Sequence, residues 1–491
     1  MVSSVQNLSS KVSNATKWSA ITTILRKLIS PITSMILARI LVPEIFGVVA
    51  TINIVISFAD IFTDAGFQKY LIQHEFDSDK ELYQSANVAF WTNFLLSDLL
   101  WLIIFIFRDE IAKIVGSDGY GIHLAIAALS IPLLSFSSIQ QAIFKRKFDF
   151  KGMFFASFIN TLVPLFVTIP IAYYTHSCWS LIIGTLFANL SDAFLLTIKS
   201  KWKPSLYYNF NEFKEMFGFS FWTLLEKISI WLTLNVDTFI LGQTLTKRNL
   251  GIYKTSLSTV NQIFNVISVI VIPVLFSALS RLQNDDKSFK QEFNIFQKKF
   301  SVILVPMSVG IFVYRNVVTW ILLGKKWMDG ALFIGLNGFM QVFVILIANF
   351  ASEVYRAKGK PKISFIVQLL YVFILIPLIY YSSRQSFIFL CIMRNVGLII
   401  FIFMHLLVMK FKFSFKISDM ILNMRHPFFA SIIMGLFGYF IQLFIDSMFL
   451  KSFTILLCIV VYFFICLFFK DTRYELFDLK KKIVKKNKKV L

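Results

Sequence analysis

The chain is a succession of apolar segments, each about as long as a helix needs to be to cross a lipid bilayer. Spanning the hydrocarbon core takes ~20 apolar residues, and every backbone polar group in that layer has to be satisfied within the segment itself. Fourteen such spans are expected: 18–41, 46–71, 84–107, 121–143, 153–174, 178–198, 217–242, 253–277, 300–322, 331–352, 363–382, 386–409, 427–446 and 452–469. Of the 491 residues, 57% are hydrophobic and 15% charged; a soluble domain carries roughly 25% charged residues and could not bury this much apolar surface. The expected fold class is all-α and polytopic. The connections are short, with no soluble domain between spans. Residues 3–16 are polar, with no compact apolar core and no small-residue cleavage site, so the first span is expected to be retained and not removed as a signal.

The net charge of +22 would suggest nucleic acid in a soluble protein. Here the cations sort by side, and a nucleic-acid partner is not expected. The side holding the N-terminus collects Lys145, Arg146, Lys147 and Lys151 after span 4, and Lys199, Lys201, Lys203 and Lys214 after span 6. It also collects Arg281 to Lys299, Arg356 to Lys362, Lys410 to Arg425, and the basic tail at 471–491. The opposite side holds only Arg108, Lys113, Lys247, Arg248, Arg315, Lys325, Lys326, Arg384 and Lys451. Positive loops stay in the cytoplasm, so both termini are expected there, in a cytoplasmic membrane.

An internal repeat is also legible. Shifting the chain by 204 residues puts Trp18 on Trp222, Leu37-Ala38 on Leu241-Gly242, Phe46-Gly47 on Leu250-Gly251 and Thr51 on Thr255. Spans 1 and 2 therefore resemble spans 7 and 8. An even number of spans separates the copies, so the repeat is parallel, with its axis along the membrane normal. The expected domains are a six-helix lobe at 1–205, a second at 206–410, helices 13 and 14 at 411–470, and the tail.

Ionisable groups deep in a span are costly unless they face protein or water, and here they cluster on the repeated spans. Span 1 carries Arg26 and Lys27, with no carboxylate on that span to neutralise them. Span 2 carries Asp60 and Asp64, one turn apart; span 7 carries Glu226, Lys227 and Asp237; Lys254 opens span 8. Arg26, Lys27, Lys227 and Lys254 are the candidates for cationic walls of a central cavity suited to an anionic head group such as a phosphate. Asp60, Asp64, Glu226 and Asp237 are the candidates for ion coupling. The competing reading is that such charges pair off to lock helices together. Asp98, Asp192, Glu353 and Arg394 rank below these, with Asp192 and Arg394 each read as a single structural contact. Arg39 and Asp446 lie near span ends and are expected to snorkel. Pro132, Pro164, Pro170, Pro273, Pro306 and Pro377 fall within spans and are expected to kink or break helices.

Other chemistry is thinly represented. Cys178, Cys391, Cys458 and Cys466 form no CxxC pair, and the five histidines show no ligand spacing. No GxxxxGK[ST] motif is present, which argues against direct ATP use, and no metal or cofactor is expected. Asp77-Ser78-Asp79 is an isolated DxD match without a catalytic domain around it, so the chain is not expected to be an enzyme.

The segments 37–73 (LARILVPEIFGVVATINIVISFADIFTDAGFQKYLIQ), 235–256 (NVDTFILGQTLTKRNLGIYKTS), 274–285 (VLFSALSRLQND), 322–334 (LLGKKWMDGALFI) and 355–365 (YRAKGKPKISF) resemble, in order and spacing, blocks of the lipid-linked oligosaccharide flippases. These are the Wzx-type polysaccharide exporters of the colanic- and teichuronic-acid branch, within the multidrug/oligosaccharidyl-lipid/polysaccharide exporter superfamily. The resemblance covers about residues 17–410. It implies a MATE-like fold of two six-helix lobes in a V, plus two C-terminal helices. It also implies translocation of undecaprenyl-pyrophosphate-linked repeat units of O-antigen, capsule or exopolysaccharide, with membrane lipid, a polymerase and a chain-length regulator as partners. Related flippases line the cavity with arginines on helices 1, 2 and 8. Here helix 1 offers Arg26 and Lys27 and helix 8 offers Lys254, but helix 2 carries Asp60 and Asp64 instead of a deep arginine. A cation-coupled multidrug exporter on the same fold is the alternative, disfavoured by the cations on span 1.

Overall fold

The computed structural model describes residues 2–63, 66–469, 472 and 473, with the side chains of 2–13, 15, 16, 20, 219–223, 225, 226 and 233 left aside. All regular structure among them is helical. Fourteen long segments follow in order: α1 (Val2–Ile40), α2 (Pro43–Thr63), α3 (Asp79–Ile106), α4 (Gly121–Arg146), α5 (Phe150–Thr175), α6 (Trp179–Lys199) and α7 (Phe210–Thr244). Then come α8 (Lys247–Arg281), α9 (Asp286–Val313), α10 (Lys325–Ala357), α11 (Pro361–Ser383), α12 (Phe387–Phe413), α13 (Ile417–Leu443) and α14 (Met448–Phe468). Thirteen of them are long and apolar enough to cross a membrane. The remaining expected span, 217–242, lies in α7, which runs for 35 residues. The chain is a multi-pass helical membrane protein.

Local chemistry explains the main departures from the expected boundaries. Span 2 is expected to reach residue 71, although Asp60, Asp64, Gly66 and Lys69 interrupt its apolar character, and α2 stops at Thr63. Gly66 sits at φ 93, a left-handed conformation that glycine adopts without a Cβ clash. A short helix, Phe67–Gln73, starts from it. The prolines act unequally. Pro164 opens a π-turn to Thr168 within α5, whereas Pro273, Pro306 and Pro377 are carried inside continuous helices. The DxD match has a structural role. Ser78 caps α3 by accepting from the Glu81 amide at 3.2 Å, and the Glu81 carboxylate accepts from the Asp77 amide at 2.7 Å.

The chain divides into two compact units, Met1–Lys254 and Thr255–Leu491. In the first, Val48 and Ile52 of α2 pack with Leu124 and Ile131 of α4 and Ile182 of α6. In the second, Val309 and Tyr314 meet Met434 of α13 and Cys458 and Tyr462 of α14. The Tyr462 hydroxyl donates to the Val302 carbonyl at 2.8 Å, so α14 is fastened to α9.

Both units use the same fastening on the N-terminal side. In the first, Lys147, just past α4, donates to Asp79 at the start of α3 at 3.0 Å and lies 4.8 Å from the Tyr83 ring. Burial alone would lower the Lys147 pKa, but hydrogen bonds to the Tyr83 hydroxyl and Asp79 outweigh it and hold the ammonium above the usual lysine range. In the second, Lys358, just past α10, donates to Asp286 at the start of α9 at 2.6 Å and lies 4.5 Å from the Phe289 ring. A lysine paired with the first acidic residue of a helix and set over an aromatic ring one turn on thus occurs twice.

Candidate functional site

The groups singled out in the sequence fall into three places within the first unit. The first is the crossing of α2 with the opening turn of α8, on the side opposite the N-terminus. A Cβ added at Gly47 would overlap the Lys247 carbonyl, and one added at Gly251 would overlap the Pro43 carbonyl. Only glycine allows backbones this close. Glu44 and Arg248 flank the crossing in a 3.3 Å ion pair, and these two residues are 204 apart, the period of the sequence repeat. Glu44 and Gly47 of one copy thus meet their counterparts Arg248 and Gly251 in the other, as at a local two-fold axis. A second tight contact braces the crossing: a Cβ at Gly116 would overlap the Gly242 carbonyl, and the Thr51 and Ser117 hydroxyls share a hydrogen bond.

The second place is the α7–α8 hairpin just inside that crossing. Asp237 is 6% exposed, and its carboxylate accepts from the Thr238 amide at 2.6 Å, the Thr238 hydroxyl at 3.0 Å and the Tyr253 hydroxyl at 3.0 Å. The Lys254 ammonium donates to the Thr238 hydroxyl. Two groups expected to play separate parts, Asp237 in coupling and Lys254 in substrate binding, therefore belong to one hydrogen-bonded network. Buried charge is tolerated when it is hydrogen-bonded in this way. Tyr253, fully buried, and Thr238 were missed in the sequence, because a tyrosine and a threonine in an apolar helix look like ordinary packing.

The third place is the middle of α1. Arg26 is exposed and Lys27 half-buried. No carboxylate on α1 faces them, but one on α6 does: Asp192 lies within electrostatic range of Arg26 and accepts from the Gln141 amide at 3.1 Å. Attractions of this kind act across helices, and nothing in the separation of residues 26 and 192 announces one.

The remaining candidates are spread out. Asp60 is half-buried near the end of α2 and accepts from the Thr63 hydroxyl at 3.2 Å. Lys227 is half-buried on α7, where α2 and α7 are joined by a 2.9 Å hydrogen bond from the Trp231 indole to Ser57. Asp64 and the side chain of Glu226 lie outside the described residues. In the second unit, the buried Glu353 pairs with Arg356 at 3.2 Å, and Arg394 donates to the Tyr371 hydroxyl at 2.6 Å. No cluster of three or more potential metal ligands occurs among the described residues.

A family profile described as polysaccharide biosynthesis protein matches residues 36–332. The chain belongs to this family. It is 25% identical over 398 residues to a membrane protein in the cps region of Klebsiella pneumoniae, covering 77% of each chain. It is 21% identical to the lipopolysaccharide biosynthesis protein WzxC of Escherichia coli, again covering 77% of each. The succinoglycan biosynthesis transport protein ExoT of Rhizobium meliloti is 24% identical, over 60% of this chain and 59% of that one. Among solved structures, the lipid II flippase MurJ in an inward closed conformation superposes with a TM-score of 0.74 at 18% identity, covering 91% of this chain and 98% of that one. An inward-facing multidrug resistance MATE transporter superposes at 0.61 and 11% identity, over 82% and 98%. These two likenesses establish the fold.

Proposed function

We propose that the protein is a flippase that carries undecaprenyl-pyrophosphate-linked oligosaccharide repeat units, precursors of an O-antigen, capsule or exopolysaccharide, across the cytoplasmic membrane by alternating access. The observation that carries this reading is the match to the polysaccharide biosynthesis family over residues 36–332, in a chain whose repeat meets itself at Gly47 and Gly251. A crossing of equivalent helices near the axis gives two six-helix lobes, 1–205 and 206–410, a point about which to rock. Helices 13 and 14 at 411–470 and the tail at 471–491 complete the proposed organisation.

In this reading both termini are cytoplasmic, and the Gly47 crossing lies toward the outside. The diphosphate enters from the inner leaflet and is received by cations among Arg26, Lys27, Lys227 and Lys254, while the polyprenyl chain stays in lipid. An ammonium or guanidinium suits a diphosphate because a charge-assisted hydrogen bond is about twice as strong as a neutral one. Asp60, Asp64, Glu226 and Asp237 are the proposed groups for ion coupling. A polymerase and a chain-length regulator are the proposed partners, and the protein itself performs no bond chemistry. Multidrug export on the same fold is the rival reading, and the exposed cation at Arg26 disfavours it.

The test uses cells that carry the matching polysaccharide gene cluster and lack this gene. Lipid-linked repeat units are expected to accumulate on the cytoplasmic face and to be cleared when the wild-type gene is restored. Their undiminished arrival outside without the gene would exclude the flippase reading.

A further inference from the structure

On the N-terminal side of the first unit, the ends of α4 and α6 and the start of α3 line a half-open cavity of about 530 Å³. That is within the range of small-molecule sites. Its charged lining consists of Arg146, Lys147, Lys199 and Lys201 against Asp79 and Asp149.

Both carboxylates are already committed. Asp79 holds Lys147 at 3.0 Å, and Asp149 caps α5 by accepting from the Gly152 amide at 2.9 Å. The Arg146 guanidinium donates to the carbonyls of Leu71 and His74 at 2.8 and 2.6 Å and lies over the Phe76 ring, and it has no ion pair among the described residues. Lys199 lies 4.1 Å from the Phe155 ring, and neither Lys199 nor Lys201 has an ion pair among the described residues. The positive-inside rule explains why loops on this side carry lysine and arginine. It does not explain why their excess charge should gather around one concave site.

A second observation is independent of charge. Ser200 lines the same cavity, is 5% exposed, and its hydroxyl has no hydrogen-bond partner among the described residues. Buried hydroxyls are almost always paired, and one left open beside uncompensated cations has the chemistry of a missing anionic acceptor. The turn that carries Lys147 and Asp149 is itself held by a left-handed, non-glycine residue, Phe148 at φ 56, a conformation that tends to collect at ligand sites.

We propose that this cavity is a binding site for a phosphate group, held by Lys199 and Lys201 and by the Ser200 hydroxyl, and separate from the charges on α1, α7 and α8. It stands independently of the transport reading. The phosphate could be supplied by the head group of an anionic lipid or by a soluble phosphorylated compound, and the two sources are separable.

The experiment uses the full-length protein in nanodiscs of phosphatidylcholine. Unfolding temperature is followed as phosphatidylglycerol is added to the bilayer, or as inorganic phosphate or pyrophosphate is added to the buffer. Three variants run beside wild type: Lys199→Gln/Lys201→Gln, Ser200→Ala, and Lys410→Gln/Lys412→Gln as a basic control at the end of α12. The expected result is a concentration-dependent rise in wild type and in the control, with apparent affinity about tenfold weaker in each cavity variant, the loss of a charged hydrogen bond or two. A rise with phosphatidylglycerol alone assigns a lipid head group; a rise with soluble phosphate assigns a soluble ligand. Ser200→Ala removes one hydroxyl, so it keeps the test informative if the double variant folds poorly. No rise with either probe, or a rise as large in both cavity variants as in wild type, overturns the proposal.

Discussion

Gly47 and Gly251 meet where α2 crosses the start of α8, each so close to the other helix that a single added carbon would strike its backbone. The contact tolerates no side chain on either side. Gly47→Ala and Gly251→Ala are expected to separate the helices and lower stability by about 1–3 kcal/mol, as overpacking does elsewhere. Gly310, where an added Cβ would meet nothing within 4 Å, is the control: Gly310→Ala is expected to be neutral or slightly stabilising, because alanine favours a helix. Thermal unfolding in detergent measures both. Equal loss at Gly47 and Gly310 would remove the crossing as a special contact.

Glu44 and Arg248 flank the same crossing as a half-exposed pair at 3.3 Å. Pairs of this exposure contribute about 0–1 kcal/mol, so neither Glu44→Gln nor Arg248→Gln is expected to move the unfolding temperature much. Reversal of one charge is different, because it places like charges together where the backbones cannot part. Glu44→Arg is expected to impair clearance of lipid-linked units, and Glu44→Arg/Arg248→Glu to restore it. A double reversal as defective as the single one would show that the ion pair has no part in the crossing.

Asp237 presents a carboxylate to Tyr253 and Thr238, with Lys254 attached through the Thr238 hydroxyl. Asp237→Ala would remove the carboxylate that accepts from the Tyr253 hydroxyl and from the Thr238 amide and hydroxyl. Loss of a buried acceptor of this kind costs about 1–3 kcal/mol. Asp237→Asn keeps an acceptor oxygen and is expected to retain most of the stability. The asparagine variant then isolates the titratable proton: lost clearance of repeat units in a stable Asp237→Asn protein assigns coupling to this carboxylate, and retained clearance assigns it a structural role.

The outline of the molecule could be read from apolar run lengths, because lipid imposes a length on every span. Where the expected span 2 passes the end of α2, the stretch 60–71 carries Asp60, Asp64, Gly66 and Lys69 within the span, and the left-handed Gly66 stands at the break. The 204-residue repeat aligned Gly47 with Gly251, but a repeat says only that two positions are equivalent. That they touch requires both to lie close to the axis, which is a fact of assembly. The pairing of Asp237 with Tyr253 depends on the register of a hairpin, and the approach of Asp192 to Arg26 depends on the rotation of α1 against α6. Both are set by packing, so a list of charged residues with their depths could find the members and not the partners.

Arg26 offers the sharpest separation of binding from packing, because its nearby carboxylate is now known. Arg26→Ala would remove a charge that Asp192 feels, leaving that acid with the hydrogen bond it accepts from the Gln141 amide at 3.1 Å. If the arginine serves only to compensate Asp192, then Asp192→Asn in the same chain should repair both stability and transport, with a coupling energy of about 0.5–3 kcal/mol typical of interacting sites. The expected outcome is different. The double variant Arg26→Ala/Asp192→Asn is expected to recover its unfolding temperature and still leave lipid-linked units on the cytoplasmic face, because a diphosphate loses a cation that no neutral partner of Asp192 can replace. Unfolding temperature and the sidedness of lipid-linked units, measured on the same four proteins at equal membrane abundance, decide the matter. Recovery of both properties would assign Arg26 to packing and leave Lys27, Lys227 and Lys254 as the proposed cations for the diphosphate.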